Sequence, residues 1–224
     1  LLPAATTFQV GHLQLNGGTL SGAGTLETLD FIWSGGTLGS GGGALSILAG
    51  GTGSASGAAL GNLTGFTLRN AGTFTWNALD VSGQVRFTLS GRFVNEATGT
   101  FNLGVDAHFV TPGGSGQGFF DNAGTFRKTT SGTALFGQAQ GVTFANTGTV
   151  EVLGGVLQLG SSLTTATHTG TFTLSAGTTL AVVGGTHAFS NTSITGAGAF
   201  AISGGVALLP AATTFQVGHL QLNG

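Results

Sequence analysis

The 224 residues include 44 glycines and 3 prolines, with 40% hydrophobic and only 5% charged residues and a formal net charge of -2. That balance is too apolar for a disordered chain and too poor in proline for collagen, and it leaves neither a basic stripe for nucleic acid nor a polybasic patch for an anionic membrane. Cysteine is absent, which excludes a disulfide framework and cysteine-ligated metal, and no run of eighteen apolar residues could span a membrane as a helix.

In chain order, residues 1–17 read LLPAATTFQVGHLQLNG and residues 208–224 read the same seventeen letters, a period of 207. Self-similarity at a fixed period marks an array whose units bury their faces only against neighbours. The reading is a single continuous solenoid over 1–224, with 1–207 one repeat unit and 208–224 the start of the next copy. LLPAATTF lacks the basic start of a signal peptide, so any secretion signal is expected outside this stretch.

Short alternating segments such as TFQVGHLQL, VRFTLSGRFV and TFTLSAGTTLAVV are separated by Gly, Ser and Asn clusters, which is strand and turn punctuation. The tripeptide Gly-Thr-apolar serves as a ruler, starting at Gly18, Gly36, Gly72, Gly99, Gly124, Gly148 and Gly170, with a variant at Gly198 and an off-register echo at Gly24. If the interval from 36 to 72 holds two coils, about nine coils of mean 23 residues fill the 207-residue repeat. The expected fold is all-β, a right-handed parallel β-helix with coils about 4.8 Å apart.

Stacking those coils in register places Leu20, Leu38, Phe74, Phe101, Phe126, Val150, Phe172 and Phe200 in one inward column. Two residues on stand Trp76, Leu103, Val152, Leu174 and Ile202. Lys128 falls in that second column and is expected to shift the backbone locally, snorkelling being the alternative. Two residues before the markers stand Asn16, Asn70, Asn122, Asn146 and Asn223, with His168 in the same slot. Asparagine at successive corners is expected to form a turn ladder of stacked amides. Arg127 and Glu151 share an offset in adjacent coils and are expected to pair.

Thr19, Thr37, Thr73, Thr100, Thr125, Thr149 and Thr171 form an outward rank. It invites an ice-binding reading, but its companion column is too irregular to match a lattice. Of the acids, only Asp80 and Asp106 stack plausibly, and a pair of carboxylates one coil apart is the weak candidate for a metal or glycan-cleaving site. The five histidines show no metal-ligand spacing, and no catalytic residues or cofactor are expected. The clusters Gly41-Gly42-Gly43 and Gly113-Gly114 lack the lysine of a phosphate loop.

Segments such as FFDNAGTFRKTTSGT and VTFANTGTVEVLGGVLQL resemble the Asn-x-Gly-Thr-apolar repeats of giant bacterial surface proteins with β-solenoid stalks, similar in style to autotransporter passengers and filamentous-haemagglutinin-like adhesins. The resemblance covers most of residues 60–224. It implies an elongated, non-catalytic, extracellular or cell-surface element, and it transfers no functional residues. The expectation is a structural unit of a bacterial fibre or stalk. Its partners would be identical units joined head to tail, in one chain or by self-assembly, with lateral bundling favoured by the scarcity of charge. The alternative is a glycan-binding or glycan-cleaving β-helix using Asp80 and Asp106.

Overall fold

The computed structural model describes residues 1–223 apart from 58–59, 80–82, 89, 112–115, 140 and 161–164. Among the described residues there is no helix, and 23 strands join in one parallel sheet wound into a β-solenoid of about nine coils. Pairing is parallel because the chain circles in one sense, so each strand lies on the strand one coil below and runs the same way.

Every coil gives one strand to each of three faces. The first face stacks residues 7–10, 25–28 and 44–47 of three long strands (Thr7–Leu20, Thr25–Leu38 and Ala44–Gly57). Above them lie Thr67–Asn70, Arg92–Asn95, Gly118–Asn122, Val142–Asn146, Ala166–His168, Thr186–Phe189 and Val206–Leu208. The second face takes residues 12–15, 30–33 and 52–57 of the same long strands, then Thr73–Ala78, Thr100–Leu103, Thr125–Lys128, Thr149–Val152 and Thr171–Leu174. Residues 193–196 and 214–217 complete it. The third face rises from residues 19–20 and 36–38 through Leu60–Thr64, Gln84–Thr88, His108–Thr111, Thr133–Ala139, Val156–Leu159 and Thr179–Val182 to residues 199–202 and 219–222.

The Gly-Thr marker has a steric cause. A Cβ on Gly72, Gly99, Gly124, Gly148 or Gly170 would sit 2.1 or 2.2 Å from a carbonyl oxygen of the coil beneath, so only glycine lets the backbone turn there at sheet spacing. Within that run the ruler holds: Thr73, Thr100, Thr125, Thr149 and Thr171 stand in register, with Phe74, Phe101, Phe126, Val150 and Phe172 beside them, all five fully buried.

Outside it, two expectations are corrected. Phe172 is followed by Ile194, while Phe200 stands over Leu180 on the third face. Leu20 and Leu38 also belong to the third face, and the second-face column continues downward through Gly53, Phe31 and Leu13. The tripeptide is written at more than one corner, so markers that look alike in sequence are not all stacked. Thr19 and Thr37 leave the threonine rank for the same reason.

The core is aromatic. Fourteen of the 17 phenylalanines are buried, and in the middle coils rings stack almost parallel along each face: Phe74 on Phe101 on Phe126, Phe93 on Phe120, and Phe109 on Phe136. Between faces they meet edge to face, as Phe101 and Phe120 do at 4.9 Å, the arrangement that ring quadrupoles favour. Coil length follows this filling. Stacked partners on the first face are 18 residues apart between Thr7 and Thr25, 27 between Arg92 and Phe119, and 20 between Thr186 and Val206. The coils are longest in sequence where the rings concentrate.

Lys128 is a further correction. Its strand keeps register with Leu103 below and Val152 above, so the backbone does not shift, and the side chain is fully buried. Its Nζ reaches the corner and donates to the Thr130 carbonyl at 2.7 Å and the Thr130 hydroxyl at 2.8 Å, with Asp106 Oδ1 at 3.5 Å. The ammonium is satisfied locally while its stem fills the place of an apolar residue.

Candidate functional site: the open ends of the stack and the polar ladder

The identical seventeen residues occupy both ends. At the bottom, Thr7–Leu20 is paired from above by Thr25–Leu38; at the top, Thr214–Leu222, the same letters as 7–15, is paired from below by Ser193–Ile202. Four inward apolar residues recur in this segment, and each end covers a different half of them. Leu13 and Leu15 pack on the core at the bottom, where Phe8 and Val10 remain 45% and 39% exposed. Their repeats behave in the opposite way, with Phe215 and Val217 packed on the core and Leu220 and Leu222 exposed at 54% and 71%. Together the two copies record a full set of contacts for one coil, one surface from each end. Val206 and Leu208 add further exposed apolar surface at the top.

Inside the stack runs an amide ladder on the first face. Asn70 donates through Nδ2 to Asn95 Oδ1, Asn95 to Asn122, and Asn122 to Asn146, each at 2.8 Å, and these side chains also donate to backbone carbonyls of the turns above. The chain of amides is one-directional. It starts with an unpaired Oδ1 on Asn70 and ends at Asn146, whose Nδ2 donates to the Thr171 carbonyl. Asn95 was not anticipated, because Glu96, Ala97 and Thr98 set it two residues further from its marker than the other rungs. The pattern apolar-x-Asn at a strand end, shared by Leu68-Arg69-Asn70, Phe93-Val94-Asn95, Phe120-Asp121-Asn122 and Phe144-Ala145-Asn146, would have found it. Asn16 and Asn223 stand apart from the ladder: Asn16 is exposed against Gly35 at a register slip, and Asn223 follows a third-face strand.

His168 takes the next rung above Asn146, as its sequence slot implied. Its Nε2 lies 3.2 Å from His187 Nδ1, and His187 Nε2 lies 3.0 Å from the Gly160 carbonyl. A carbonyl only accepts, so His187 carries its proton on Nε2 and accepts at Nδ1. His168 therefore donates from Nε2 and keeps a bare, buried Nδ1 that has no partner. Both rings are neutral in this arrangement. Burial, and secondarily His187, holds the His168 pKa down to about 3, and burial also lowers that of His187.

The scarce charges are used as ties between coils. Arg127 bonds Glu151 at 2.6 Å as the spacing predicted, Arg69 bonds Glu96 at 2.8 Å, His12 bonds Asp30 at 2.6 Å, and Arg92 bonds Asp121 while lying over the Phe119 ring. Exposed pairs of this kind contribute at most about 1 kcal/mol each. Asp106 is engaged by Lys128 and by the Thr130 hydroxyl at 2.5 Å. Asp80, its proposed companion, lies outside the described residues, as do Gly113 and Gly114. Among the described residues no three His, Cys, Asp or Glu side chains cluster as metal ligands. No protein-family model, curated protein or solved structure matches this chain, so its functional reading rests on its own residues and their geometry.

Proposed function

We propose that the chain is a structural repeat unit of an extracellular fibre or stalk, bacterial as the repeat style implies, in which 207-residue copies continue one coil stack end to end. The observation that carries this reading is the recurrence of residues 1–17 at 208–224, with complementary halves of their inward surface covered at the two ends. Three further features support it. The terminal coils are similar in length, 18 residues from Thr7 to Thr25 and 20 from Thr186 to Val206, so the last coil of one unit matches the first coil of the next. Open strand edges pair readily with another strand, and a heterologous head-to-tail contact extends without closing. The charged groups described above are occupied in ties between coils, with Asp106 held by Lys128 and Thr130, which favours a scaffold over the glycan-active alternative.

Chains of one, two and three tandem repeats test the reading by small-angle scattering. Maximum dimension is expected to grow by roughly 45 Å per added copy, the rise of about nine coils at sheet spacing. Copies that fold as separate beads on a flexible string would refute it.

A further inference from the structure

Resting on that reading, we infer that successive repeats are set one face apart, so that the array is a rod with three azimuthal phases in which any surface feature recurs a third of a turn further round in each copy. The columns carry the argument. Thr7 lies under Thr25, Ala44, Thr67 and Arg92 on the first face, and that face ends in Val206–Leu208. Thr214, the repeat of Thr7, does not stand on that face. It sits on Ser193, which sits on Thr171, Thr149, Thr125, Thr100, Thr73, Thr52, Asp30 and finally His12, the second-face column. After 207 residues the chain has climbed nine coils and moved one face onward.

The same letters serve at two different corners because the corner residue is glycine in both. Gly11 turns the chain from first to second face at the bottom, and Gly218 turns it from second to third at the top. There a Cβ would stand 2.2 Å from the Ala197 carbonyl oxygen. In a continued stack, the segment equivalent to Gly18–Leu20, which lies on the third face at the bottom, arrives over Val206–Leu208. That strand has no partner above it among the described residues, and its Val206 and Leu208 are about half exposed. A stack in phase would instead put the equivalent of Thr7 over Val206.

Three repeats, about 28 coils or roughly 134 Å at sheet spacing, are then needed to return to the same azimuth. The threonine rank of one copy cannot continue as a single flat strip along the rod; it reappears on each of three sides in turn. A patch that binds a neighbouring rod is therefore offered in three directions, which suits a trigonal bundle over a ribbon.

The cysteine-free chain allows two tests. In residues 1–224, Ser193→Cys with Thr214→Cys should close a disulfide under mild oxidation, stacked neighbours being within its reach, whereas Val206→Cys with Thr214→Cys should not; the reverse pattern overturns the inference. In a chain of three tandem repeats carrying Thr173→Cys in each copy, an exposed second-face position, gold labels seen by electron microscopy should step about a third of a turn per roughly 45 Å. Rods that lengthen with all labels along one line overturn the face advance but leave end-to-end stacking intact. A chain that does not lengthen with copy number overturns the stacking itself.

Discussion

Acid should loosen the solenoid through His168. In the folded chain this ring is neutral down to about pH 3, while in the unfolded chain it takes a proton near its ordinary value of 6.5. A histidine whose folded pKa is depressed loses native stability as the pH falls below the unfolded value, and the loss continues until the folded value is reached. Each pH unit in that window is worth about 1.4 kcal/mol, so on going from well above pH 6.5 down to 4.5 His168 alone removes about 2.7 kcal/mol. His187 is shifted the same way and adds to the loss. Carboxylates act mainly lower down. Asp30, held low chiefly by its bond to His12, costs stability only as pH falls below the usual carboxylate range, and Asp121, raised by burial, acts with the opposite sign. The clean measurement is a difference: equilibrium denaturant unfolding, followed by circular dichroism from pH 7 to 4.5, for the native chain and for His168→Asn, which puts an amide on the rung. The variant should show a pH slope shallower by about 1.4 kcal/mol per unit. Parallel slopes would refute the assignment of a neutral, buried His168.

The amide ladder predicts unequal costs for like substitutions. Asn122→Ala strips Asn95 Nδ2 of one acceptor and Asn146 Oδ1 of its donor, and should cost about 2–4 kcal/mol. Asn70→Ala removes a side chain whose Oδ1 is already unpaired, and should cost about half as much by the same reasoning; equal losses in thermal unfolding would argue against the chain of amides. Replacing Lys128 by Met trades a buried ammonium for an apolar fit between Leu103 and Val152 and leaves Asp106 in solvent, so stability should hold or rise by about 1–2 kcal/mol. A loss above about 2 kcal/mol would show that the Thr130 and Asp106 contacts matter more than the burial cost. In hydrogen exchange, amides around Phe101, Phe120 and Phe136 should be the last to exchange, and those of residues 7–20 and 206–222 the first; uniform protection would contradict a core concentrated in the middle coils.

How much was legible in the letters depended on which constraint wrote them. The Gly-Thr phrase between Gly72 and Gly170 could be read because the steric demand at that corner recurs in each coil of that run, and the phenylalanine column and the Arg127–Glu151 pair followed from it. The phase of the stack could not. Gly18 and Gly36 mark the third face, Gly72 to Gly170 the second, and Gly198 the third again, so counting markers as equivalents hid the one-face advance and misplaced Leu20, Leu38 and Phe200. Lys128 misled for a different reason: period-two alternation says which way a side chain points, but not that a corner hydroxyl and carbonyl two residues on wait to receive its charge. Asn95 was hidden by two extra turn residues, a change of loop length that leaves the strand-end rung untouched.

The glycine corner also sets how straight such a rod can be. From Gly72 to Gly170 the corner carbonyls run along a single edge of the solenoid, and each leaves no room for so much as a methyl group. One alanine placed there would prise two coils apart on that side alone, like a shim driven under one leg of a tower, and everything beyond it would lean. Curvature in a long fibre of this design could therefore be set one corner at a time, without disturbing the packing of the rings inside.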